Sequence, residues 1–463
     1  MYQIDFTKPI HVYFVGIGGI SMSGLAEILL SRGFTVSGSD RQESPVTKKL
    51  TEQGVTVYYG QREENITPDI DLAVFTSAIH PDNPEYIAVS RLGIPMLTRA
   101  QLLGEIMRNY ELPVAVSGTH GKTTTTSMLS EILLAGQTDP TLSIGGMLKS
   151  IGGNVRVGHS GYFLTEACEY TNSFLSFFPK IGIILNIDAD HLDFFKDLED
   201  IRRSFRKFAE LIPADGALII NGDIPDVAEI TRDLACRVIS YGSGSGCDYY
   251  PEDITYDDHA HASFLLHSPA SGDGKDQSGR IVLRVPGEHN LYNAIAAIAA
   301  ADLMEIPRSA SVPALAGFSG TDRRFEYKGT KDGVTIIDDY AHHPTEIRAT
   351  LLAARNYPHG RLWCVFQPHT YTRTKSLLPE FADALRLADE VVLADIYAAR
   401  ETDTLGISSE TLRDEILALG GSCRYFDSFS KIEEYLSSNC TKGDLLITMG
   451  AGNVNQIAED LLS

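Results

Sequence analysis

Short apolar runs alternate with longer stretches of helical periodicity along almost the whole chain. The runs HVYFV, YFLTEA, IGIILNI, LWCVFQ and LLITMG are too short and too continuous for amphipathic helices. They read as strands buried on both faces, and strands of that kind belong to parallel sheets whose crossovers are helices. The pattern breaks near RNYELP and again near Asp322, which divides the chain into three successive α/β units. The expected organisation is therefore an N-terminal Rossmann-like domain over 1–110, a central P-loop ATPase domain over 111–321 and a Rossmann-like C-terminal domain over 322–463. In the first unit the helix is expected over Ser23–Ser31 and a further helix near Pro84–Arg91. From Tyr241 to Arg284 the alternation gives way to Gly, Ser, Asp and His, which predicts hairpins and surface loops. A helix, LYNAIAAIAAADLM, follows Pro286.

A chain of 463 residues is too long for one core, which agrees with several domains. Its formal net charge of −22 argues against nucleic acid or an anionic membrane as a main partner, because nothing neutralises a row of phosphates. Six cysteines without a C-x-x-C pair make a zinc site or a disulfide scaffold unexpected, and reduced thiols suit a cytoplasmic protein. No signal peptide is read at the N-terminus, and no apolar stretch reaches membrane-spanning length.

The most informative stretch is VAVSGTHGKTTTTSM, a β-prone run that enters a glycine turn and then a helix. Gly118 and Gly121 let backbone N–H groups turn inward, and the helix that follows presents the positive end of its dipole. The spacing is G-x-x-G-K-T, with Val116 where a strict P-loop has glycine. Gly118, Thr119, His120, Gly121, Lys122, Thr123 and Thr124 are thus expected to bind a nucleotide triphosphate, with Lys122 on the β/γ-phosphates and the Thr123 hydroxyl on Mg²⁺. Glu166 ends the strand YFLTEA, 44 residues after Lys122, and His191 follows IGIILNI. In an open parallel sheet ligands gather beyond the carboxyl ends of the strands, so both are candidate metal ligands beside the loop.

A second glycine cluster, Gly16-Ile-Gly18-Gly19-Ile20-Ser21, follows HVYFV. Ser21 stands where a dinucleotide fingerprint has its third glycine, which weighs against a nicotinamide cofactor. The same turn suits the pyrophosphate of a UDP-sugar, held by Gly18, Gly19, Ile20 and Ser21, with Asp40 on ribose hydroxyls. In the third unit, TDRRFE, DDYAHHPTE and QPHTYTRT bring His342, His343, His369, Arg323, Arg324 and Arg373 to strand ends. Arginine forks match carboxylates and phosphates, so these loops read as an anion grip.

The order of these blocks, together with GEHNLYNA and MGAGN, resembles the Mur ligase family over nearly the whole length. The resemblance implies ATP-dependent joining of an amino acid, here L-alanine, to the carboxylate of UDP-N-acetylmuramate in peptidoglycan precursor synthesis. It implies ATP and Mg²⁺ as cofactors (one or two ions, with Mn²⁺ as a substitute), and a monomer or homodimer. It places His289, Asn290, Asn293, Arg324 and Asp339 with the nucleotide. Ser77 and Arg99 fall on the uridine side, and Tyr340, His342, His369 and Arg373 with the acceptor carboxyl and the incoming alanine. Where relatives read E-A-D-E-S-D, this chain reads Glu166-Ala-Cys168-Glu169-Tyr170-Thr171, which changes the surroundings of the metal site. Alternatives are a sister ligase that adds a preformed peptide, a P-loop switch ATPase and a nicotinamide dehydrogenase.

Overall fold

The computed structural model describes residues 2–76, 79–269, 280–399 and 401–463. The first sheet is all parallel, in the order Thr56–Tyr59, Thr35–Asp40, His11–Val15, Leu72–Phe75, Met96–Thr98. The chain leaves the central strand His11–Val15 at the point where the strand order reverses, so the glycine turn opens into the crevice of a doubly wound sheet. The helix begins at Ile20 rather than at Ser23, which puts Ile20 and Ser21 in its first turn. Gly16 takes φ +85°, and a Cβ there would meet Thr76 at 2.7 Å.

The second sheet has seven strands, in the order Arg237–Tyr241, Ala217–Asn221, Ile181–Ile184, Leu112–Ser117, Tyr162–Ala167, Thr141–Leu148, Gly153–Arg156. Only the last pair is antiparallel. The strand that feeds the phosphate loop lies in the middle, with Ser117 level with Ala167 on one side and Ile184 on the other. This register is what brings Glu166 and the loop after Ile184 to the two flanks of the phosphate loop.

The stretch read as hairpins and loops contains a three-stranded antiparallel sheet, Tyr250–Tyr256, His261–His267 and Arg280–Pro286. Its period-two apolar residues (Ala262, Phe264, Leu266, Ile281, Leu283, Val285) pack into one cluster with the helix Glu288–Leu303. That helix is buried nearly all round, and its alanines allow close approach to the helix Lys122–Ala135.

The third sheet runs Glu326–Lys331, Val334–Asp339, Leu445–Met449, Leu362–Phe366, Glu390–Leu393, Cys423–Tyr425, antiparallel only in its first pair. The loops after Asp339 and Phe366 therefore flank the end of the central strand Leu445–Met449.

The three units are joined in different ways. One apolar cluster runs from the first sheet through Ile106 and Met107 into Phe174, Phe205 and Phe208 beneath the second sheet. At that junction Gly104 approaches so closely that a Cβ would lie 1.9 Å from the Ser176 carbonyl oxygen. The third unit has clusters of its own, made only of its own residues. Its contacts with the second unit described below are polar.

Candidate functional site

The phosphate loop follows from a buried strand that ends in two glycines with positive φ, +143° at Gly118 and +83° at Gly121. Gly121 is pressed against Asn293, whose Oδ1 lies 2.7 Å from the position of a Cβ. Asn293 Nδ2 donates to Asn290 Oδ1 at 3.1 Å, and Asn290 Nδ2 donates to the Pro286 carbonyl at 2.7 Å. Two of the residues expected near the nucleotide thus brace the loop, while His289 is exposed beside it.

Lys122 Nζ folds back on the loop, donating to the carbonyls of Gly118 (2.5 Å) and Thr119 (3.0 Å) and to Glu169 Oε2 (2.9 Å). Burial works against its charge, yet the Glu169 carboxylate more than offsets this and raises its pKa above the ordinary lysine value.

Thr123 Oγ1 donates to Glu166 Oε2 at 3.1 Å, and Gly145 N–H donates to Glu166 Oε1 at 2.6 Å. Burial raises the Glu166 pKa, opposed by the Gly145 N–H and by Lys122. His191 Nε2 stands 3.8 Å from Glu169 Oε1, a buried oxygen without a hydrogen-bond partner among the described residues. A hydroxyl, two carboxylates and an imidazole around an orphaned oxygen fit a hard divalent cation such as Mg²⁺. His191 itself takes a left-handed backbone, φ +55°, and its ring stacks on Tyr170 at 4.4 Å between centroids. Tyr170 is one of the residues that depart from the family pattern, and its hydroxyl donates to Asp193 at 2.7 Å.

The third unit brings two histidines together, with ring centroids of His342 and His369 5.8 Å apart. Their hydrogen bonds distinguish them. His342 Nδ1 faces the Tyr340 carbonyl at 3.0 Å, so that nitrogen carries the proton and Nε2 keeps a lone pair. His369 Nδ1 faces Arg373 Nη1 at 3.2 Å, so it accepts and the proton sits on Nε2. Burial holds both pKa values down at about 4; Arg373 lowers both further, while Glu346 pulls against the shift at His342.

Arg373 is almost fully committed. Its Nε donates to Asp190 Oδ1 at 3.1 Å and its Nη2 reaches the same carboxylate at 3.0 Å, with both side chains about nine-tenths buried. Burial raises the Asp190 pKa, but the guanidinium outweighs it and holds the carboxyl well below the usual range. Two of five N–H donors remain for an incoming anion.

Arg323 does not join the anion grip. Its donors go to Asp338 (3.0 Å) and to the carbonyls of Gly452 (3.0 Å) and Gly450 (2.7 Å), where it ties the third sheet's central loop. His343 is likewise structural: it caps the helix Pro344–Ala354 and hydrogen-bonds Ala189 O at 3.1 Å. Arg324 has its guanidinium 5.3 Å over the Tyr340 ring and its Nη1 3.9 Å from Glu346 Oε1. Asp339 accepts from Ala341 N (2.7 Å) and Phe325 N (2.9 Å); burial raises its pKa to about 6. In the first unit Asp40 Oδ2 accepts from Gly18 N at 2.8 Å, so it braces the glycine turn. Ser77 lies outside the described residues.

A cavity of about 1290 Å³ opens where the three units meet. Thr98 and Arg99 line it from the first unit, Tyr170 and His191 from the second, and His369 and Arg373 from the third. Asp190 and Glu346 were missed by sequence reasoning. Asp190 had a signal, its position beside His191, whereas Glu346 reads simply as an acid in the first turn of a helix.

Residues 11–111 match the Mur ligase family catalytic domain, 116–301 the Mur ligase middle domain and 323–452 the Mur ligase glutamate ligase domain. A UDP-N-acetylmuramate–L-alanine ligase of Agathobacter rectalis is 61% identical over 462 residues, covering 100% of each chain. One of the same description from Lachnoclostridium phytofermentans is 54% identical over 472 residues, again with 100% of each covered. Among solved structures, UDP-N-acetylmuramate-alanine ligase of Thermotoga maritima superposes with a TM-score of 0.79 at 28% identity, covering 98% of each chain. A murein peptide ligase of Psychrobacter arcticus gives 0.70 at 26% identity, also over 98% of each.

Proposed function

This chain belongs to the Mur ligase family, and from that premise we propose that it joins L-alanine to the carboxylate of UDP-N-acetylmuramate, at the expense of ATP. The observation that carries the reading is the full-length identity of 61% to a ligase of that description, and the three-unit cavity is the geometry that supports it.

The muramoyl carboxylate oxygen attacks the γ-phosphorus of ATP, giving an acyl phosphate and ADP. Two anions must approach, so the cost is offset by Lys122, the loop N–H groups and the N-terminus of the helix Lys122–Ala135. Thr123, Glu166 and His191 are the residues to hold Mg²⁺, which when bound neutralises phosphate charge. The amine of alanine then attacks the acyl carbon and phosphate leaves. That amine must lose a proton, and the lone pair on His342 Nε2 supports this residue as its acceptor over His369, whose Nε2 is already protonated. Arg373 offers its two remaining N–H groups to the alanine carboxylate. Arg99 and the glycine turn of the first unit take the UDP moiety, Arg324 faces the nucleotide, and Tyr340 lies with the acceptor carboxyl.

Mass spectrometry of a reaction containing UDP-N-acetylmuramate, alanine and MgATP should detect UDP-N-acetylmuramoyl-alanine. With ¹⁸O in the muramate carboxylate, one label should appear in inorganic phosphate. A product formed only with a preformed tripeptide would reassign the acceptor, and no label in phosphate would exclude the acyl phosphate.

A further inference from the structure

One side chain of the phosphate loop has no part in the steps above. His120 Nε2 stands 3.2 Å from Asp188 Oδ2, and its Nδ1 stands 3.2 Å from Glu346 Oε1. Nε2 has no hydrogen-bond partner among the described residues, so the ring is held between the two carboxylates as an ion pair. Burial opposes that charge, but the two carboxylates raise the pKa to about 9. The main chain of His120 is held too: its N–H donates to Asn186 Oδ1 at 2.8 Å, and its carbonyl accepts from Asn186 Nδ2 at 3.0 Å.

Asn186 and Asp188 belong to the second unit, whereas Glu346 belongs to the third. Glu346 also accepts from His342 N at 3.1 Å and lies 3.9 Å from Arg324. One part-buried carboxylate therefore gathers the phosphate loop on one side and the ligation loop on the other. Among the described residues no apolar cluster joins the third unit to the second, so polar contacts of this kind contribute to how it seats.

His120, Asp188 and His343 also place ligand atoms within 4.8 Å of one another, which suggests a metal site. Their hydrogen bonds speak against it. His343 Nδ1 accepts from Thr345 N and its Nε2 donates to Ala189 O. That leaves His343 no free lone pair in this arrangement.

We propose that His120 is a positioning residue that ties the phosphate loop to the third unit through Glu346, so that the triphosphate is gripped fully only when the ligation loop is seated. Its consequence for catalysis rests on the ligase reading, but nucleotide binding tests it without turnover. Binding of a non-hydrolysable ATP analogue with Mg²⁺ is measured by calorimetry for the wild type, His120→Asn, Glu346→Gln and the double variant, with melting curves to verify folding. Loss of a hydrogen bond to a charged partner predicts that each single change weakens binding by about 10- to 100-fold. The double variant should lose much less than the product of the single losses, because the two changes share the His120–Glu346 contact. In turnover, His120→Asn should raise the KM for ATP by the same factor while kcat at saturating ATP falls much less. Wild-type affinity in either folded variant, or losses that multiply in the double, would overturn the proposal. Should His120→Asn not fold, Glu346→Gln and His120→Gln carry the same comparison. Wild-type enzyme that binds the analogue yet releases no ADP in response to muramate and alanine would count against the ligase reading instead.

Discussion

Arg373→Lys is the substitution on which the geometry makes its sharpest demand. It keeps the positive charge beside Asp190 but replaces a planar fork with a point charge. The guanidinium spends three of its five N–H groups on Asp190 and His369, which leaves two for a carboxylate. An ammonium has three N–H groups in all, so it cannot keep the three bonds to Asp190 and His369 and still offer any to alanine. At 3.0 Å and an effective dielectric constant of 20, the Asp190 attraction alone is about 5.5 kcal/mol before desolvation, and the ammonium will turn to that carboxylate first. The loss then falls on alanine: at least one charge-assisted hydrogen bond, about 2–3 kcal/mol, or a rise of about 30- to 150-fold in the alanine KM. Steady-state kinetics with alanine varied at saturating ATP and UDP-N-acetylmuramate measures this directly, and the ATP KM should stay near wild type. An alanine KM unchanged while the ATP KM rises would refute the reasoning and move Arg373 to the nucleotide side.

Lys122→Ala should lower muramate-dependent ADP release by on the order of 10³-fold, measured in a coupled ADP assay. With pKa values of about 4, His342 and His369 stay neutral down to pH 5, so kcat/KM for alanine should lack an acid limb near pH 6.5. Both folded-state values lie below the free value, so the stability these residues contribute is full above pH 6.5 and lost as pH falls towards 4. His120 has the opposite sign: its contribution is full below pH 6.5 and lost as pH rises through about 9, so the melting temperature should decline on both sides. Phe174 stacks on Phe208 at 4.9 Å in the core shared by the first two units; Phe174→Ala should cost about 3–5 kcal/mol in urea unfolding and loosen both units together.

The parallel sheets, the phosphate loop and the two strand ends that carry Glu166 and His191 were legible because each is a local pattern. A buried run, a glycine turn and a helix start are contiguous, and a strand end is visible as the place where an apolar run stops. The three-stranded sheet around Phe264 was less legible. Its strands are interrupted by polar turns and are half exposed, so alternation over a few residues resembles loop sequence. Among the arginines, sequence could not separate Arg323, bound by Asp338 and two carbonyls, from Arg324 and Arg373.

From residue order alone came the three-unit α/β plan, the phosphate loop and the strand ends that carry Glu166 and His191, since these depend on neighbours a few positions apart. Tertiary structure alone decided the pairings: Arg373 with Asp190 lies 183 positions away along the chain, and His343 with Ala189 lies 154. The protonated nitrogen of each histidine, and so which one can take a proton, follows from a carbonyl or guanidinium that the fold sets beside it. No periodicity in a chain records such contacts; they appear only when separate sheets pack and their loops are forced to share one space.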